Sequence, residues 1–326
     1  AETVVSDGSP GADPIRVCVV GCGAIGSLFA AHLARVAGVE VWGYDVSRPH
    51  VDAINAEGLR VEVGARGGTD FAVRIHARTD PSEIPPCSLG VVAVKSEYTD
   101  SALEASAPIF PDAAVASVQN GVGNEEVLAR YLPRVIRGTT LIAGAITAPG
   151  VVRMDAAGDT WLGPFEPSPA RLDEVELLAR LLNAGGMTAH GLPDARGAQW
   201  TKLLFNAATN ALCAVSGLAT GQLTEVPQLA DMVQGLLAEG RAVAAAQGIV
   251  LDTDPQEVLD DAIARAYFHR PSMLQDVAAR RRTEVDVLNG GVVAAGRELG
   301  VPTPLHELMV GLVHGVELSW TSRSAH

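Results

Sequence analysis

The sequence predicts a doubly wound, Rossmann-type α/β domain over residues 15–193, followed by an all-α domain over 194–326. Three observations predict it. The chain opens with a strand, a glycine turn, a helix and a second strand within about 30 residues, the size of one βαβ unit. Strand and helix patterns then alternate as far as Pro193. Beyond Pro193 the strand pattern stops and helical periodicity continues. A length of 326 residues agrees with two domains at roughly 100–200 residues each.

Residues 1–14 are mostly small and polar, without the apolar stretch of a signal peptide, and are expected to form a flexible extension. Ile15–Val20 (IRVCVV) is a β-branched run. It ends at Gly21-Cys22-Gly23-Ala24-Ile25-Gly26. Ser27–Val36 reads as an Ala/Leu-rich helix closed by Gly38, and residues 39–44 as a second strand. Strands are expected over 59–63 and 71–76. Ser88–Val94 is continuously apolar, as a buried parallel strand would be, and runs into Lys95. A helix is expected near 97–107, and a strand over 115–118 that ends at Gln119-Asn120-Gly121. A further helix is expected over 124–131. Segments 139–147, 150–154 and 159–163 are rich in Thr, Val and Ile with turn residues between them, and read as antiparallel strands. A helix over 171–183 and a strand over 188–192 close this part. Helices are then expected over 195–216, 226–248, 255–268, 272–299 and 304–318, with Gly248 and Gly300 where helices stop.

Composition removes several function classes. The formal net charge is −14, a sign that repels phosphate backbones, and no Lys/Arg-rich run offsets it. Aromatic residues are only 4%, too few for stacking bases. Nucleic acid is therefore not an expected partner. No apolar run reaches the roughly 18–20 residues of a membrane span, so no membrane partner is expected either. The cysteines Cys18, Cys22, Cys87 and Cys213 show neither a CxxC pair nor zinc-ligand spacing with histidines. They read as reduced, buried thiols of a cytoplasmic protein, with no metal site.

A lone G-x-G-x-x-G is a weak signal. Here it follows a predicted strand, opens a predicted helix, and is followed roughly 20 residues on by Asp45. Gly21 allows the tight turn, Gly23 lets backbone approach a pyrophosphate, and Gly26 permits close helix–strand packing. With Cys22, Ala24 and Ile25 they form a turn whose helix N-terminus offers N–H groups and a partial positive charge to phosphates. Asp45 is placed to accept hydrogen bonds from the ribose hydroxyls of NAD and to repel the 2′-phosphate of NADP. NAD(H) is therefore favoured over NADP(H) as the NAD(P)H cofactor, although Arg48 is placed to cap an adenine or a phosphate.

Such a cofactor supplies hydride. The rest of the site must supply a proton donor, an anchor for the substrate and a group that orients the donor. Lys95 closes a buried strand and is expected to point toward the cofactor crevice. Asn120 lies at the end of the next strand, in an Asn-Gly pair that also suits a plain turn. In WTKLLFNAATNALCA (200–214), Lys202, Asn206 and Asn210 share one helix face at i, i+4 and i+8. One lysine with two amides and no acid reads as a lined cleft. A lysine in a dry site has its pKa lowered toward neutrality, which suits a general acid. In PSMLQD, Ser272 is expected as an N-cap with Gln275 completing a capping box. That helix start is also a place for a carboxylate. Glu284, three turns further along the same predicted helix, is placed to meet Lys202 from a neighbouring helix. The plain alternatives are a solvated lysine, a capping serine and a surface acid beside Arg280–Arg282.

Taken together, GCGAIG, VAVKS, QNGVG, WTKLLFNAATNAL, PSMLQD and RRTEVDVLNG, in that order from about residue 15 to 318, resemble the ketopantoate (2-dehydropantoate 2-) reductase family. The resemblance implies reduction of a 2-oxo acid to a D-2-hydroxy acid, ketopantoate to pantoate, in pantothenate biosynthesis. It also implies a homodimer. It implies that Lys202 is the proton donor to the ketone oxygen and that Glu284 orients substrate and lysine. Asn120, Asn206, Asn210 and Ser272 would hold the substrate hydroxyl and carboxylate, with Lys95, and Asn120 as well, near the cofactor. One departure bears on the cofactor: many members carry a basic residue after the second strand and use NADPH, whereas Asp45-Val46 stands here. NAD-dependent D-2-hydroxyacid dehydrogenases resembling the family are the first rival reading. A β-hydroxyacid dehydrogenase is the second, and the Ser272–Glu284 segment argues against it. An NAD(P)-sensing regulatory protein without turnover is the third, and it would have no need of Lys202 opposite Glu284.

Overall fold

The computed structural model of the chain describes residues 13–64 and 68–322; residues 1–12 of the expected extension lie outside them. The first elements are β1 (Ile15–Val20), α1 (Ala24–Leu33), β2 (Val39–Tyr44), α2 (Arg48–Glu57), β3 (Leu59–Val63), β4 (Phe71–Val73) and β5 (His76–Arg78). Then come β6 (Leu89–Val92), α3 (Thr99–Ser106), β7 (Ala114–Ser117), α4 (Asn124–Ala129), β8 (Arg134–Thr140), β9 (Ala143–Ala148) and β10 (Val151–Ala156). β11 (Thr160–Pro164), α5 (Leu172–Ala184) and β12 (Ala189–Gly191) follow. The remaining elements are helices: α6 (Arg196–Ser216), α7 (Pro227–Ala246), α8 (Pro255–Ala266), α9 (Ser272–Ala278), α10 (Asn289–Leu299) and α11 (Pro304–Ser322).

These elements form two compact units, Ala1–Gln119 with Glu125–Pro193, and Asn120–Asn124 with Asp194–His326. Loop 120–124 is thus encoded within the first stretch of chain but packs with the second unit.

In the first unit an eight-stranded sheet has the order β12-β11-β8-β7-β6-β1-β2-β5. Its central pairs are parallel. β6 and β7 are buried along their whole length, which is why their sequence is apolar without alternation. Alternate residues of β1 serve two layers. Val17 and Val19 pack in one cluster with Leu28, Phe29 and Leu178. Cys18 and Val20 pack in another with Leu103, Phe110 and Phe165. Strand order reverses at β1, so the carboxyl ends of β1 and β6 form the switch point at which such sheets bind ligands.

A second, four-stranded sheet has the order β4-β3-β10-β9. The expected strand 71–76 is two strands in two sheets: Val73 pairs with Leu59 in β3, and His76 pairs with Trp42 in β2. The segments expected to be antiparallel are only partly so. β9–β10 and β8–β11 are antiparallel, whereas β8 is parallel to β7 and β10 is parallel to β3.

The second unit is built around α6. Leu203, Leu204, Ala207, Ala211 and Leu212 form its buried core with Leu236, Leu237, Met273 and Val292. α6 stops at Gly217, whose φ of +76° takes the left-handed conformation open to glycine. The expected helix 272–299 is broken. α9 closes with Arg281 N–H donating to the Asp276 carbonyl at 2.8 Å, and Arg280 sits at φ +50°. Helical structure resumes only at Asn289.

Candidate active site

In the first unit the glycine turn has the geometry its three glycines predict. Gly21 has φ +89°, and a Cβ there would come within 2.8 Å of Val94 N, so the loop leading to Lys95 abuts the turn. A Cβ on Gly26 would collide with the Gly21 carbonyl, whereas a Cβ on Gly23 would meet nothing within 4 Å. Gly23 is exposed and is the N-cap of α1. Open space at this glycine, before unpaired helix N–H groups, suits a dinucleotide pyrophosphate. Cys22, Ala24 and Ile25 shape the same turn.

Asp45 follows β2 and is fixed by two backbone donors, Cys22 N–H to Oδ2 at 2.7 Å and Ser47 N–H to Oδ1 at 2.7 Å. Its carboxylate is thereby held beside Gly23, in a cavity of about 350 Å³ lined also by Ser47, Pro49, His50 and residues 146–149 at the end of β9. Each oxygen has lone pairs left for a ribose hydroxyl. Arg48 is exposed in the first turn of α2. β6 closes at Val92, so Lys95 lies in the following loop, before a 3₁₀ turn over Ser96–Tyr98. Gln119 fastens that loop by donating from Nε2 to Val94 O at 2.8 Å and to Thr99 Oγ1 at 2.7 Å.

In the second unit, loop 120–124 brings Asn120 to Lys202. The lysine Nζ donates to Asn120 Oδ1 at 2.9 Å. The same amide donates from Nδ2 to Glu284 Oε2 at 3.1 Å. An asparagine amide offers an acceptor on one side and donors on the other, so Asn120 links ammonium to carboxylate. The loop is held by Val122 N–H donating to Val287 O at 3.0 Å. It sits too close to Val287 for any side chain at Gly121, which has φ +79°. Burial pushes the Lys202 ammonium down to about 8, against the opposing pull of the Glu284 carboxylate.

Asn206 is half-buried one turn beyond Lys202 on α6, and Asn210 is buried a further turn on, with Oδ1 accepting from Thr209 Oγ1 at 3.2 Å. Three expectations change. Ser272 is not an N-cap. Pro271, extended at φ −64° and ψ 161°, takes that place, with no side-chain cap, and Ser272 is the exposed first residue of α9. Gln275 completes no box, because its Nε2 donates to Arg270 O at 2.8 Å. Glu284 is not on the helix of Ser272 either. The break after Ala278 places it in the turn before α10, and this turn lets its carboxylate reach Asn120.

Sequence reasoning passed over Ser27, His50 and Asn289. Ser27 follows the glycine motif directly, which was a signal; His50 had none, because its partners come from distant segments. Asn289, buried, donates from Nδ2 to the Ala207 carbonyl at 2.8 Å, and so ties α10 to the helix that carries Lys202. Among the described residues no group of three His, Cys, Asp or Glu side chains forms a metal site. No described helix is long and apolar enough to cross a membrane. All four cysteines are free and buried.

Comparison with known proteins gives consistent results. The family model "Ketopantoate reductase PanE/ApbA" matches residues 17–167, and its C-terminal companion matches 194–317. A 2-dehydropantoate 2-reductase of Pyrococcus abyssi is 32% identical over 93% of this chain and 98% of its own. One from Halobacterium salinarum is 34% identical over 92% and 98%. A ketopantoate reductase structure from Ralstonia eutropha superposes with TM-score 0.83 and 32% identity, over 93% of this chain and 99% of that one. D-mandelate dehydrogenase, in a ternary structure with NADH and anilino(oxo)acetate, superposes with TM-score 0.81 and 25% identity, over 93% and 99%.

Proposed function

The chain belongs to the ketopantoate reductase family and is a nicotinamide-dependent oxidoreductase, and from that premise we propose that it reduces ketopantoate to pantoate with NADH. The observation that carries the reading is the hydrogen-bonded series Lys202–Asn120–Glu284. When bound, the cofactor supplies the hydride that adds to the carbonyl carbon of the 2-oxo acid. Negative charge grows on the carbonyl oxygen, and the Lys202 ammonium donates a proton to it. Its lowered pKa of about 8 makes it a ready donor near neutral pH. Glu284 keeps the lysine charged, and Asn120 fixes its direction. Asn120, Asn206, Asn210 and Ser272 hold the substrate hydroxyl and carboxylate, and Lys95 serves the cofactor beside the glycine turn. Asp45 receives the ribose hydroxyls and disfavours a 2′-phosphate. The cytoplasm and pantothenate biosynthesis are the proposed setting. The proposed assembly is a homodimer, supported by the exposed Leu308, Leu312 and Leu318 of α11.

A second reading is an NAD-dependent D-2-hydroxyacid dehydrogenase with a bulkier substrate. Asp45 and the likeness to an NADH-bound D-mandelate dehydrogenase favour it. The deciding test mixes purified protein with ketopantoate and follows NADH and NADPH oxidation in parallel. Oxidation of NADH supports the proposal, and oxidation of NADPH alone refutes the role given to Asp45. Oxidation seen only with other 2-oxo acids gives the second reading.

A further inference from the structure

We propose that His50 is a positioning residue of the dinucleotide site, one that aims the Gly23 N–H through Ser27 and the Cys22 carbonyl. The inference rests on the reading of the glycine turn as a dinucleotide site.

His50 is buried in the first turn of α2. The backbone N–H of Gly150, at the β9–β10 turn, donates to its Nδ1 at 3.0 Å. A backbone N–H only donates, so Nδ1 carries no proton and the neutral ring is protonated at Nε2. Nε2 lies 3.3 Å from Ser27 Oγ and donates to it. The serine hydroxyl directs its own hydrogen to the Cys22 carbonyl at 2.8 Å.

The Cys22 carbonyl and the Gly23 N–H belong to one planar trans peptide and point in opposite directions. Holding the carbonyl toward Ser27 therefore aims the Gly23 N–H away from Ser27. Asp45 holds the preceding N–H, that of Cys22, at 2.7 Å. The peptide is thus fixed from both sides, at the glycine where a Cβ would meet open space. His50 also lines the cavity that holds Gly23 and Asp45. Burial keeps the ring below the usual histidine range, while Asp45 opposes that shift.

Three substitutions separate the two ring nitrogens. An asparagine at 50 places an acceptor near Nδ1, a glutamine places a donor near Nε2, and a leucine supplies neither. NADH affinity is read by titration calorimetry and folding by thermal melting, so neither depends on turnover. His50→Leu, His50→Asn and Ser27→Ala are expected to weaken NADH roughly five- to tenfold, the size of one lost hydrogen bond. His50→Gln is expected to stay within about twofold of the parent. Variants that melt lower yet bind NADH as the parent does show a structural role only and overturn the inference. Ser27→Ala carries the test should the leucine variant not fold. A parent protein that binds neither NADH nor NADPH overturns the dinucleotide reading itself, and this inference with it.

Discussion

Lys202 on α6 donates from Nζ to Oδ1 of Asn120 at 2.9 Å, across 82 positions of sequence. The lysine is held by an amide whose opposite edge is engaged by Glu284. Ammonium, amide and carboxylate are thereby joined by three side chains from three segments.

Replacing Lys202 by alanine removes the proposed proton donor. Turnover is expected to fall by roughly 10²–10⁴, the usual range for general acid catalysis. NADH affinity, measured by titration, is expected to change little. Parallel loss of affinity and turnover would contradict the assignment.

The pH profile follows from the lysine. In the proposed mechanism the ammonium form is the acid for reduction, so kcat is expected to be flat below about 8 and to fall above it. Oxidation of the hydroxy acid needs the neutral amine and is expected to rise through the same pH. Glu284 pulls the lysine pKa upward, so Glu284→Gln moves both limbs to lower pH. Steady-state profiles in the two directions check this, and coincident limbs in parent and variant would refute it.

The glycines of the turn are separable. Gly26→Ala puts a Cβ into the Gly21 carbonyl and is expected to cost about 3 kcal/mol or more of stability. Gly23→Ala meets no protein atom within 4 Å, so its melting temperature should stay close to that of the parent. Its NADH affinity is expected to drop at least roughly tenfold, because the methyl group would stand where the proposed site receives a pyrophosphate. Melting curves and NADH titrations of both variants distinguish the two effects.

Asp45→Ser removes the charge while keeping a short oxygen acceptor. The ratio of kcat/KM for NADH to that for NADPH is expected to fall by roughly tenfold or more. An unchanged ratio would leave Asp45 as a scaffold for Cys22 and Ser47 alone.

Stability should decline in acid. His306 is buried, with Nε2 bonded to Leu236 O at 3.0 Å and Nδ1 to Asn289 Nδ2 at 3.1 Å. Burial lowers its pKa. As pH falls through about 6.5, the unfolded chain takes up a proton that the folded ring resists, so folding free energy is lost. His32, His50 and His269 are shifted in the same direction by burial. The melting temperature is expected to fall between about pH 7 and pH 5, less steeply in His306→Gln.

The local signals were legible in one dimension. A strand, three glycines, a helix start and an acid at the next strand end lie within a single βαβ unit. Each constrains backbone or charge through neighbours only a few residues away. The face shared by Lys202, Asn206 and Asn210 follows equally from helical repeat. What the tertiary structure decided lies where partners are distant. Asn120 donates to Glu284 across 164 positions, and His50 accepts from Gly150 across 100. The run 71–78 is divided between two sheets, and the left-handed Arg280 interrupts a helical pattern so that Glu284 can turn inward. Periodicity shows which face of a segment is apolar. Which segments meet depends on many weak apolar contacts summed over the packed core, and no stretch of sequence displays that sum.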